Sequence, residues 1–552
     1  MKKIILAALN ARYSHTNLAI RYLRNSIKDL DYNVLLMEFT INNHVSDIVQ
    51  SLVIERPYAV AFSVYIWNAE IIGEIIARLR AELPECRIIL GGPEVSYSHD
   101  QWLKAHEEID YIISGPGESA FRKLALQGMN AAGPLLSASN PHFNEIPFAY
   151  VESDFKGMKN RTIYYESSRG CSFRCSYCLS SRSDHALEFR DNAKVKDELD
   201  FILKYSPSYL KFVDRTFNVS RERSRDLWAC IIDRYGVGGT FFHFEINPTL
   251  LEDEDFRLLS SCPQGLFQFE LGIQSTNERS LKAVNRPGAF DAIKERVERL
   301  IALKNIHTHA DLIAGLPYED EGSLRKSFND IYSLGADHFQ PGLLKILHGT
   351  EMKEIADEKG YAYNTRPPYQ TISTPWLLPE TVSTYESIAF LVERLYNSQN
   401  FPLTLKSLSE LFSSPYDCYH DMHVFYQEQS RSPLDRGRES GASFLFDYIN
   451  AGDRRGRVFL IDCLRWDWCA ASKNRHYARF LKSETTRGAA KRFMGMVHFF
   501  MREPGPAWPP LTADEVKRAI VFSPESDVFR ERHLHGHDLA VFVPGRPGPL
   551  LY

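Results

Sequence analysis

Three cysteines at C-x3-C-x2-C spacing are the residues of this sequence best suited to do chemistry. Cys171, Cys175 and Cys178 follow the strand-like run Thr162–Tyr165, and the next cysteine is Cys230. Thiolates are soft ligands that bind zinc or iron-sulfur clusters, and one short loop can wrap three of them around a single cluster. A structural zinc site normally takes four ligands, and no fourth Cys or His lies at ligand spacing. The spacing therefore favours an iron-sulfur cluster with one iron left open.

This loop resembles the cluster loop of the radical S-adenosylmethionine (SAM) enzymes, in which an aromatic residue precedes the last cysteine, as Tyr177 does here. The resemblance implies that Cys171, Cys175 and Cys178 hold a [4Fe-4S] cluster, with Tyr177 beside the cofactor. It also implies that the open iron chelates the methionine end of SAM, and that electron transfer cleaves SAM to a 5'-deoxyadenosyl radical. A reductant such as flavodoxin or ferredoxin would supply the electron. The alternative, buried or disulfide-forming cysteines, is disfavoured because the sequence has no secretory features.

The elements that must position this loop are strand-like runs with helical stretches between them. After the loop the runs cover residues 209–213, 241–246, 265–273, 307–313 and 338–346. With the strand before Cys171 they make six βα units, which predicts a partial (β/α)6 barrel over residues 155–375. Barrel chemistry takes place at the C-terminal ends of the strands. We therefore expect functional side chains there.

Polar residues occupy these predicted strand ends. A carboxylate inside an apolar strand is costly to bury unless it is paired or binds a ligand, and a ribose diol would satisfy Glu270 with two hydroxyl donors. The runs resemble the SAM-binding elements of the radical SAM core. That resemblance implies that Asp214 meets the amino group of SAM, Glu270 and Gln274 its ribose, and the backbone near Ile313 and Leu316 its adenine. The alternative for both carboxylates is a hydrogen bond to backbone amides at a strand end.

The first predicted domain covers residues 1–140 and precedes the cluster loop. Its apolar runs, at residues 3–9, 33–38, 58–64, 87–90 and 111–114, alternate with helical patterns. Strands that alternate with helices predict a parallel, doubly wound sheet. Ligands of such sheets bind at the carboxyl ends of the strands.

Glycines and polar residues lie at these strand ends, where glycines let a ligand approach the backbone closely. They are Asn10, Ser63, Gly91, Gly92, Glu94, Gly115, Gly117 and Glu118. The pattern is similar to the cobalamin-binding domain that precedes many radical SAM cores, which implies that these residues line the nucleotide tail of the corrinoid. The alternative is structural, because any open α/β sheet needs glycines in such turns.

One departure from that pattern concerns His15. Cobalamin domains that supply a lower axial imidazole carry Asp-x-His-x-x-Gly after the first strand, whereas this sequence has Asn10-Ala-Arg-Tyr-Ser-His15-Thr-Asn. We therefore predict that His15 is a loop or capping residue and does not ligate cobalt. Either cobalamin binds without a protein ligand, or the domain has lost cobalamin.

Residues 376–552 follow a proline-rich linker, and we predict a mostly helical domain that caps the barrel and selects the substrate. Its first helix is predicted over residues 384–398. The net charge of -5 and pI near 6.4 give no sign of a nucleic-acid partner. No apolar run is long enough to span a membrane, and an oxygen-sensitive cluster with mostly unpaired cysteines favours the cytoplasm.

Together these features predict an α/β cobalamin-dependent radical SAM enzyme, and most simply a methyltransferase that acts on an unactivated centre of a small-molecule or peptide substrate. Alternatives are a cobalamin-dependent radical rearrangement and a methylthiotransferase. The latter carries a second cysteine-ligated cluster in its N-terminal domain, whereas Cys86 is the only cysteine before Cys171 here. A non-catalytic corrinoid or SAM sensor is the alternative from another class.

Overall fold

A computed structural model describes the chain except for residues 140, 159, 182–185, 287, 430–433, 436, 452–455, 474–475, 503–510, 547 and 552. The chain divides into two compact units. One comprises Met1–Ala336 with Gly342–Val382, and the other comprises Asp337–Pro341 with Ser383–Tyr552. The division into three domains at residues 140, 155 and 376 stays a prediction.

The first unit begins with a parallel sheet of strand order β2-β1-β3-β4-β5-β6. Its strands are β1 Lys2–Asn10, β2 Tyr32–Thr40, β3 Ala59–Ser63, β4 Arg87–Gly91, β5 Tyr111–Ile113 and β6 Leu135–Leu136. The first five confirm the predicted runs. The two-residue β6 was not predicted, because so short a strand after Gly133-Pro134 carries no periodic signal.

Helices cover both faces of this sheet, which confirms the doubly wound fold. They are α1 Leu18–Ser26, α2 Val45–Ile54, α3 Ala69–Glu82, α4 Pro93–Tyr97, α5 His99–Ala105 and α6 Glu118–Leu126. Alternate side chains of β1 lie on opposite faces of the sheet. Ile5 and Leu9 pack in the apolar cluster that includes α2 and α3, and Ile4 and Leu6 pack in the cluster that includes α1 and α6. Each buried aliphatic side chain stabilises the fold by about 1.5–3 kcal/mol.

The predicted barrel follows the first sheet in the chain. In chain order its strands are β7 Thr162–Tyr165, β8 Ser168–Arg169, β9 Glu188–Phe189, β10 Tyr209–Phe212, β11 Phe241–Ile246, β12 Phe267–Gln274, β13 His307–Ala314 and β14 His338–Leu343. The strands β8 and β9 pair as a short antiparallel ribbon. The other six form one sheet of order β14-β13-β12-β11-β10-β7, which confirms the partial barrel.

Helices between these strands pack on the outer face of the sheet. They are α7 Asn192–Leu203, α8 Arg221–Tyr235, α9 Asp253–Leu259, α10 Glu278–Ala283, α11 Phe290–Ala302 and α12 Glu321–Tyr332. Trp228 of α8 is fully buried, and its ring lies 5.4 Å from Phe269 of β12 and 6.3 Å from Phe244 of β11. After β14 come α13 Glu351–Lys359 and the antiparallel pair β15 Ala362–Tyr363 and β16 Thr371–Ser373.

The remaining chain is mostly helical, as predicted. Its helices are α14 Pro379–Leu395, α15 Pro402–Ser409, α16 Pro415–Glu428, α17 Arg438–Asn450, α18 Arg457–Ala470, α19 Glu484–Arg502, α20 Ala513–Arg518 and α21 Asp527–Leu534. The sequence did not predict the small antiparallel sheet of β17 Ile520–Phe522, β18 Ala540–Phe542 and β19 Leu550–Leu551. Among the helices described, none is long and apolar enough to cross a membrane.

Candidate functional site

The cysteine loop lies between the two strands of the β8-β9 ribbon. Gly170 starts the loop with a φ of 86°, and a Cβ there would lie 2.4 Å from the carbonyl oxygen of Ala186, so only glycine fits this position. Cys175 is buried, whereas Cys171 and Cys178 are partly exposed. The ribbon thus presents the three thiols on one short segment after β7.

The guanidinium of Arg286 contacts the cysteine loop, whose thiols are neighbours of one another. Arg286 donates a hydrogen bond from Nη1 to Sγ of Cys175 at 3.5 Å. Burial raises the pKa of Cys171, and the neighbouring thiols Cys178 and Cys175 raise it further. Within the described residues no three His, Cys, Asp or Glu side chains are arranged to hold a metal ion as they stand. In a [4Fe-4S] cluster each thiolate would bind a different iron, so the three thiols do not need to converge on a single metal ion.

Asp214, at the end of β10, is fully buried and already satisfied by hydrogen bonds. Its carboxylate accepts from the backbone N–H of Ser167 at 2.9 Å and from the hydroxyls of Ser167 and Ser168 at 2.6 Å each. These contacts tie the end of β10 to the segment that leads from β7 into the cysteine loop. They favour a positioning role for Asp214, and its contact with the amino group of SAM stays a prediction.

Glu270, in the middle of β12, faces the interior of the barrel. Its Oε2 accepts a hydrogen bond from Lys211 Nζ at 3.2 Å and lies 2.9 Å from His243 Nε2. Burial would raise the pKa of Glu270, but His243 and Lys211 outweigh it and lower this pKa well below its usual range. Glu270 is therefore a carboxylate whose Oε2 is held by protein groups.

The inner face of the barrel sheet, called the lumen here, is polar along the strands as well as at their ends. The hydroxyl of Tyr209 bonds His243 Nδ1 at 3.0 Å and Gln268 Oε1 at 3.0 Å, and the amide of Gln268 contacts the ring of His309. The alternate residues of the same strands, such as Phe242, are buried on the outer face. Barrel interiors are normally packed with branched apolar side chains, so a polar lumen indicates a site that receives polar groups.

Two further carboxyl groups lie in this lumen. Glu245 is the register partner of Glu270, and its carboxylate lies 3.8 Å from Lys211 Nζ and 4.0 Å from Arg215 Nη1. Burial, opposed by Arg215 and reinforced by Glu270, raises the pKa of Glu245 to about 7. Burial, reinforced by Glu270 and Glu245, also raises the pKa of Asp311 well above its usual range. The lumen thus gathers three carboxyl groups on three adjacent strands.

Gln274 ends β12 at an irregular register with β13 and has a φ of 73°. A Cβ on Gly272 would lie 2.7 Å from Gln274 Nε2 and 3.1 Å from Arg286 Nη2, so both side chains pass directly over Gly272. Arg286 also donates a hydrogen bond to the carbonyl oxygen of Gly272. The strand end predicted to hold ribose is thereby joined to Cys175 through one guanidinium.

Ile313 and Leu316 lie at the end of β13, as predicted. Leu316 is fully buried in a cluster with Ile346 and Met352, and Ile313 and Tyr177 pack against that cluster. This packing places the ring of Tyr177, in the cysteine loop, beside the end of β13. The adenine contact of the backbone at this end stays a prediction.

The carboxyl ends of the first sheet hold the remaining predicted residues. Asn10 is buried and donates through Nδ2 to the carbonyl oxygen of His15 at 3.1 Å, and Ser63 Oγ accepts from Asn17 Nδ2 at 3.0 Å. These two strand ends flank the switch point between β1 and β3, where ligands of doubly wound sheets bind. The hydrogen bonds fix both side chains at that point.

The glycines at this edge differ in what surrounds them. Gly92 has a φ of 114°, and a Cβ there would lie 2.5 Å from the carbonyl oxygen of Val64, so Gly92 is needed for the fold. Gly115 has a φ of 77° with nothing within 4 Å of the Cβ position. At Gly91 and Gly117 the nearest atoms are Ile113 Cβ at 3.8 Å and Leu23 Cδ2 at 3.2 Å. Open space therefore lies above Gly115.

Glu94 and Glu118 join this edge to the segment before β16 and to the β8-β9 ribbon. The hydroxyl of Tyr369 donates to Glu94, and Arg169, directly before the cysteine loop, donates to Glu118 at 2.9 Å. Both carboxylates are buried. The carboxyl ends of the first sheet thus face the cysteine loop, and a corrinoid contact of either glutamate stays a prediction.

Arg286, Lys211, His243 and His309 are candidate site residues that reasoning from strand ends alone did not single out. Within 307–311 of β13, polar residues alternate with Thr308 and Ala310, which are fully buried. A period of two is the signal of a strand with one polar face. That pattern could have revealed the polar lumen, whereas no sequence signal connects Arg286 to the distant Cys175.

Family models match three segments of the chain. The "B12 binding domain" matches residues 4–125, the "Radical SAM superfamily" matches residues 165–331, and a "Protein of unknown function (DUF4080)" matches residues 357–501. The first two segments coincide with the two parallel sheets. This confirms a B12-binding domain followed by a radical SAM domain, and with it a [4Fe-4S] cluster, SAM and cobalamin as the implied cofactors.

Two curated relatives carry methyltransferase names. The 2-(S-pantetheinyl)-carbapenam-3-carboxylate methyltransferase of Streptantibioticus cattleyicolor is 22% identical over 61% of this chain and 54% of its own length. The cobalamin-dependent radical SAM methyltransferase TokK of Streptomyces tokunonensis is 22% identical over the same shares. The chain therefore spans about half the length of the curated relatives it matches.

Solved structures share the fold. The methyltransferase TsrM from Kitasatospora setae, with cobalamin and a [4Fe-4S] cluster bound, aligns with a TM-score of 0.56 at 16% identity, over 85% of this chain and 96% of its own. The cobalamin-dependent SAM radical enzyme OxsB, with aqua-cobalamin and SAM bound, aligns with a TM-score of 0.56 at 14% identity, over 93% and 82%. At these identities the likeness concerns the fold alone.

Proposed function

Because the chain belongs to the B12-binding radical SAM proteins, we propose that it is an enzyme that transfers a methyl group to an unactivated centre of a small-molecule or peptide substrate. One observation carries this proposal. The carboxyl edge of the first sheet, called the glycine edge for Gly91, Gly92, Gly115 and Gly117, lies beside the cysteine loop, because Arg169 before that loop bonds Glu118 at 2.9 Å. Groups bound at the glycine edge and at the cysteine loop would share one chamber.

In this proposal Cys171, Cys175 and Cys178 hold the cluster. Their number leaves one iron without a protein ligand, and thiolates suit iron-sulfur clusters. The guanidinium of Arg286, 3.5 Å from Cys175 Sγ, would stabilise the negative charge of the ligated thiolate. Arg286 also bonds the carbonyl oxygen of Gly272 near the end of β12. It would therefore hold the cluster at a fixed distance from the strand end that is proposed to bind the ribose of SAM.

The strand ends of the barrel bind SAM in this proposal. Glu270 accepts from Lys211 and His243 through Oε2, so its Oε1 is the oxygen that would accept from a ribose hydroxyl. Gln274 approaches from the end of the same strand, and the backbone between Ile313 and Leu316 lies beside the adenine. Asp214 does not touch SAM in this scheme, because three hydrogen bonds already hold it in place.

The glycine edge of the first sheet binds cobalamin in this proposal. The open space at Gly115 would admit the nucleotide tail, while Gly91, Gly92 and Gly117 keep the neighbouring backbone free of side chains. Asn10 and Ser63 line the switch point. Bound together, the three groups supply reductive cleavage of SAM and a carrier for its methyl group.

A methylthiotransferase is disfavoured because the first domain lacks a second set of thiol ligands. Cys86 is the only cysteine before Cys171, and it is 4% exposed. Burial raises the pKa of Cys86 to about 11, so this thiol is protonated and inert at neutral pH. A radical rearrangement and a sensor use the same cofactors, so an experiment must separate them from methyl transfer.

The test uses anaerobic, cluster-reconstituted protein given hydroxocobalamin, SAM and a reductant such as flavodoxin. We expect corrinoid to be retained through gel filtration, and 5'-deoxyadenosine and S-adenosylhomocysteine to be released. Retention and cleavage without S-adenosylhomocysteine would favour a rearrangement. Retention without any cleavage, even with candidate substrates, would favour a sensor, and cleavage without retained corrinoid would exclude cobalamin-dependent methyl transfer.

A further inference from the structure

The three carboxyl groups of the lumen differ in how well neighbouring cations and hydrogen-bond donors pair with them. Glu270 is bonded by Lys211 and His243, and Glu245 lies between Lys211 and Arg215. Burial lowers the pKa of His243, which therefore adds little positive charge. Lys211 is thus shared by two carboxylates, and a third, Asp311, lies on the next strand.

Asp311 is the uncompensated member of this set. Its Oδ1 is completely buried and, in the described part of the chain, accepts no hydrogen bond. The nearest cations, Lys211 and Arg286, are both engaged elsewhere, by Glu270 and by Cys175 with Gly272. An unsatisfied buried carboxyl oxygen is costly, and it persists in native proteins where a ligand or a functional need satisfies it.

The position of Asp311 indicates where such a ligand would lie. Asp311 is on β13, two residues after His309, the register partner of Glu270, so it lies on the same face of the sheet and nearer the carboxyl end of the strand. The cysteine loop is joined to that end of the sheet by Arg286, which donates to Cys175 and to Gly272. A group bound there would be near the reacting centre.

We propose that Asp311 binds a protonated amine of a molecule held in the lumen, through a charge-assisted hydrogen bond to Oδ1. This inference rests on the proposed function and names the chemistry of the molecule that the site receives. An ammonium group supplies the missing donor and stabilises the ionised form of Asp311, which burial and the neighbouring carboxylates disfavour when no ligand is bound. The amine could belong to an amine-bearing substrate or to a SAM molecule whose amino group is not bound to the open iron, because both would enter the same lumen.

The first arm of the test asks whether the amine is that of SAM. Calorimetry with cluster-reconstituted protein compares SAM with its desamino analogue for the wild type, Asp311→Asn and the exposed control Asp253→Asn. If SAM is the source of the amine, Asp311→Asn lowers the affinity for SAM at least tenfold and leaves the affinity for the desamino analogue unchanged. Asp253→Asn should match the wild type with both ligands, since its side chain is 82% exposed.

The second arm uses a free amine in place of an unidentified substrate. Butylammonium chloride should raise the Tm of the wild type more than tetramethylammonium chloride does at equal ionic strength, because only butylammonium donates a hydrogen bond. Asp311→Asn should abolish that difference. If SAM affinity is unchanged in the first arm but this difference is lost, the substrate is the source of the amine.

The proposal is overturned if Asp311→Asn behaves as the wild type in both arms. Without ligand, Asp311→Asn should fold and have a higher Tm, since it removes a buried carboxyl group without a partner, and Asp311→Ser serves as a second variant. A wild type that holds a full cluster but binds no SAM would contradict the proposed function. The butylammonium arm would still decide the role of Asp311.

Discussion

The strand β1 of the first sheet is apolar on both faces, whereas the barrel sheet is apolar only on its outer face and carries Lys211, Glu245, Glu270 and Asp311 on the other. In the first sheet, side chains of β1 enter an apolar cluster on either side, so ligand contacts are confined to the strand ends. In the barrel sheet, polar side chains continue along the strands, so binding groups extend into the lumen. Substitutions should therefore act through backbone space in one sheet and through charge in the other.

The largest effect is expected at the cysteine loop, which neither sheet needs for its core. Cys171→Ala, Cys175→Ala and Cys178→Ala should each fold but hold almost no iron and cleave no SAM, because all three thiols serve one cluster. Iron analysis and visible absorbance after anaerobic reconstitution measure this. A single variant that keeps full iron and cleaves SAM would refute the assignment of the loop, and Cys230→Ala is the control.

The glycine edge should show the next largest effect, and it separates folding from ligand binding. Gly92→Ala forces a Cβ to 2.5 Å from the Val64 carbonyl oxygen at a φ of 114°, so we expect a loss of about 2–4 kcal/mol in the free energy of unfolding. Gly115→Ala meets no atom within 4 Å and should cost only about 1 kcal/mol.

Gly115→Ala should instead reduce corrinoid retention, because its methyl group enters the open space at the strand end. Chemical denaturation measures the first quantity, and gel filtration with hydroxocobalamin measures the second. Equal stability of the two variants would show that the crowding at Gly92 is relieved by backbone movement. Full corrinoid retention by Gly115→Ala would place the nucleotide tail elsewhere.

The same contrast explains how much of the molecule could be predicted from its sequence. Both sheets were predictable, because short apolar runs and helical periods repeat along the chain and five strands of the first sheet match them. The contacts that build the site join distant segments. Glu94 and Tyr369 are 275 residues apart, and Arg286 and Cys175 are 111 apart, so no local pattern reports them.

Side-chain roles were predicted less well than strands because charge pairing depends on the neighbouring strand. Asp214 looked like a ligand-binding carboxylate, yet Ser167 and Ser168 satisfy it. Glu270 looked unpaired within its own strand, yet Lys211 of β10 and His243 of β11 bond it. Both partners become visible only once the strand order and register are known.

A smaller effect is expected from Glu270→Ala, which tests charge in the lumen. The variant should weaken SAM binding ten- to hundredfold, since a charge-assisted hydrogen bond to a hydroxyl contributes about 1.5–3 kcal/mol. Glu245→Ala should weaken SAM far less, because its pKa of about 7 leaves it only partly charged at neutral pH. Calorimetry on reconstituted protein compares the two. Equal affinity of Glu270→Ala and the wild type would make Glu270 structural.

The smallest effect is expected at His15, where we predict no change at all. Its ring lies edge-on to Tyr164 of β7 with centroids 6.0 Å apart, and its carbonyl oxygen accepts from Asn10 at 3.1 Å, so the residue packs between the two sheets. Burial, with the positive charges of Arg12 and Lys211, lowers the pKa of His15, so the imidazole is neutral at pH 7 and chemically able to ligate cobalt. The prediction therefore rests on the packing of the His15 ring on Tyr164 and on the missing Asp-x-His-x-x-Gly pattern, and not on the protonation state of the imidazole.

EPR of bound cob(II)alamin should show no nitrogen coupling from a protein histidine, and His15→Ala should leave the spectrum unchanged. A nitrogen-split spectrum that disappears in His15→Ala would mean that the loop after β1 turns its imidazole from the second sheet toward the first, and the contrast between the two sheets would then fail at this loop.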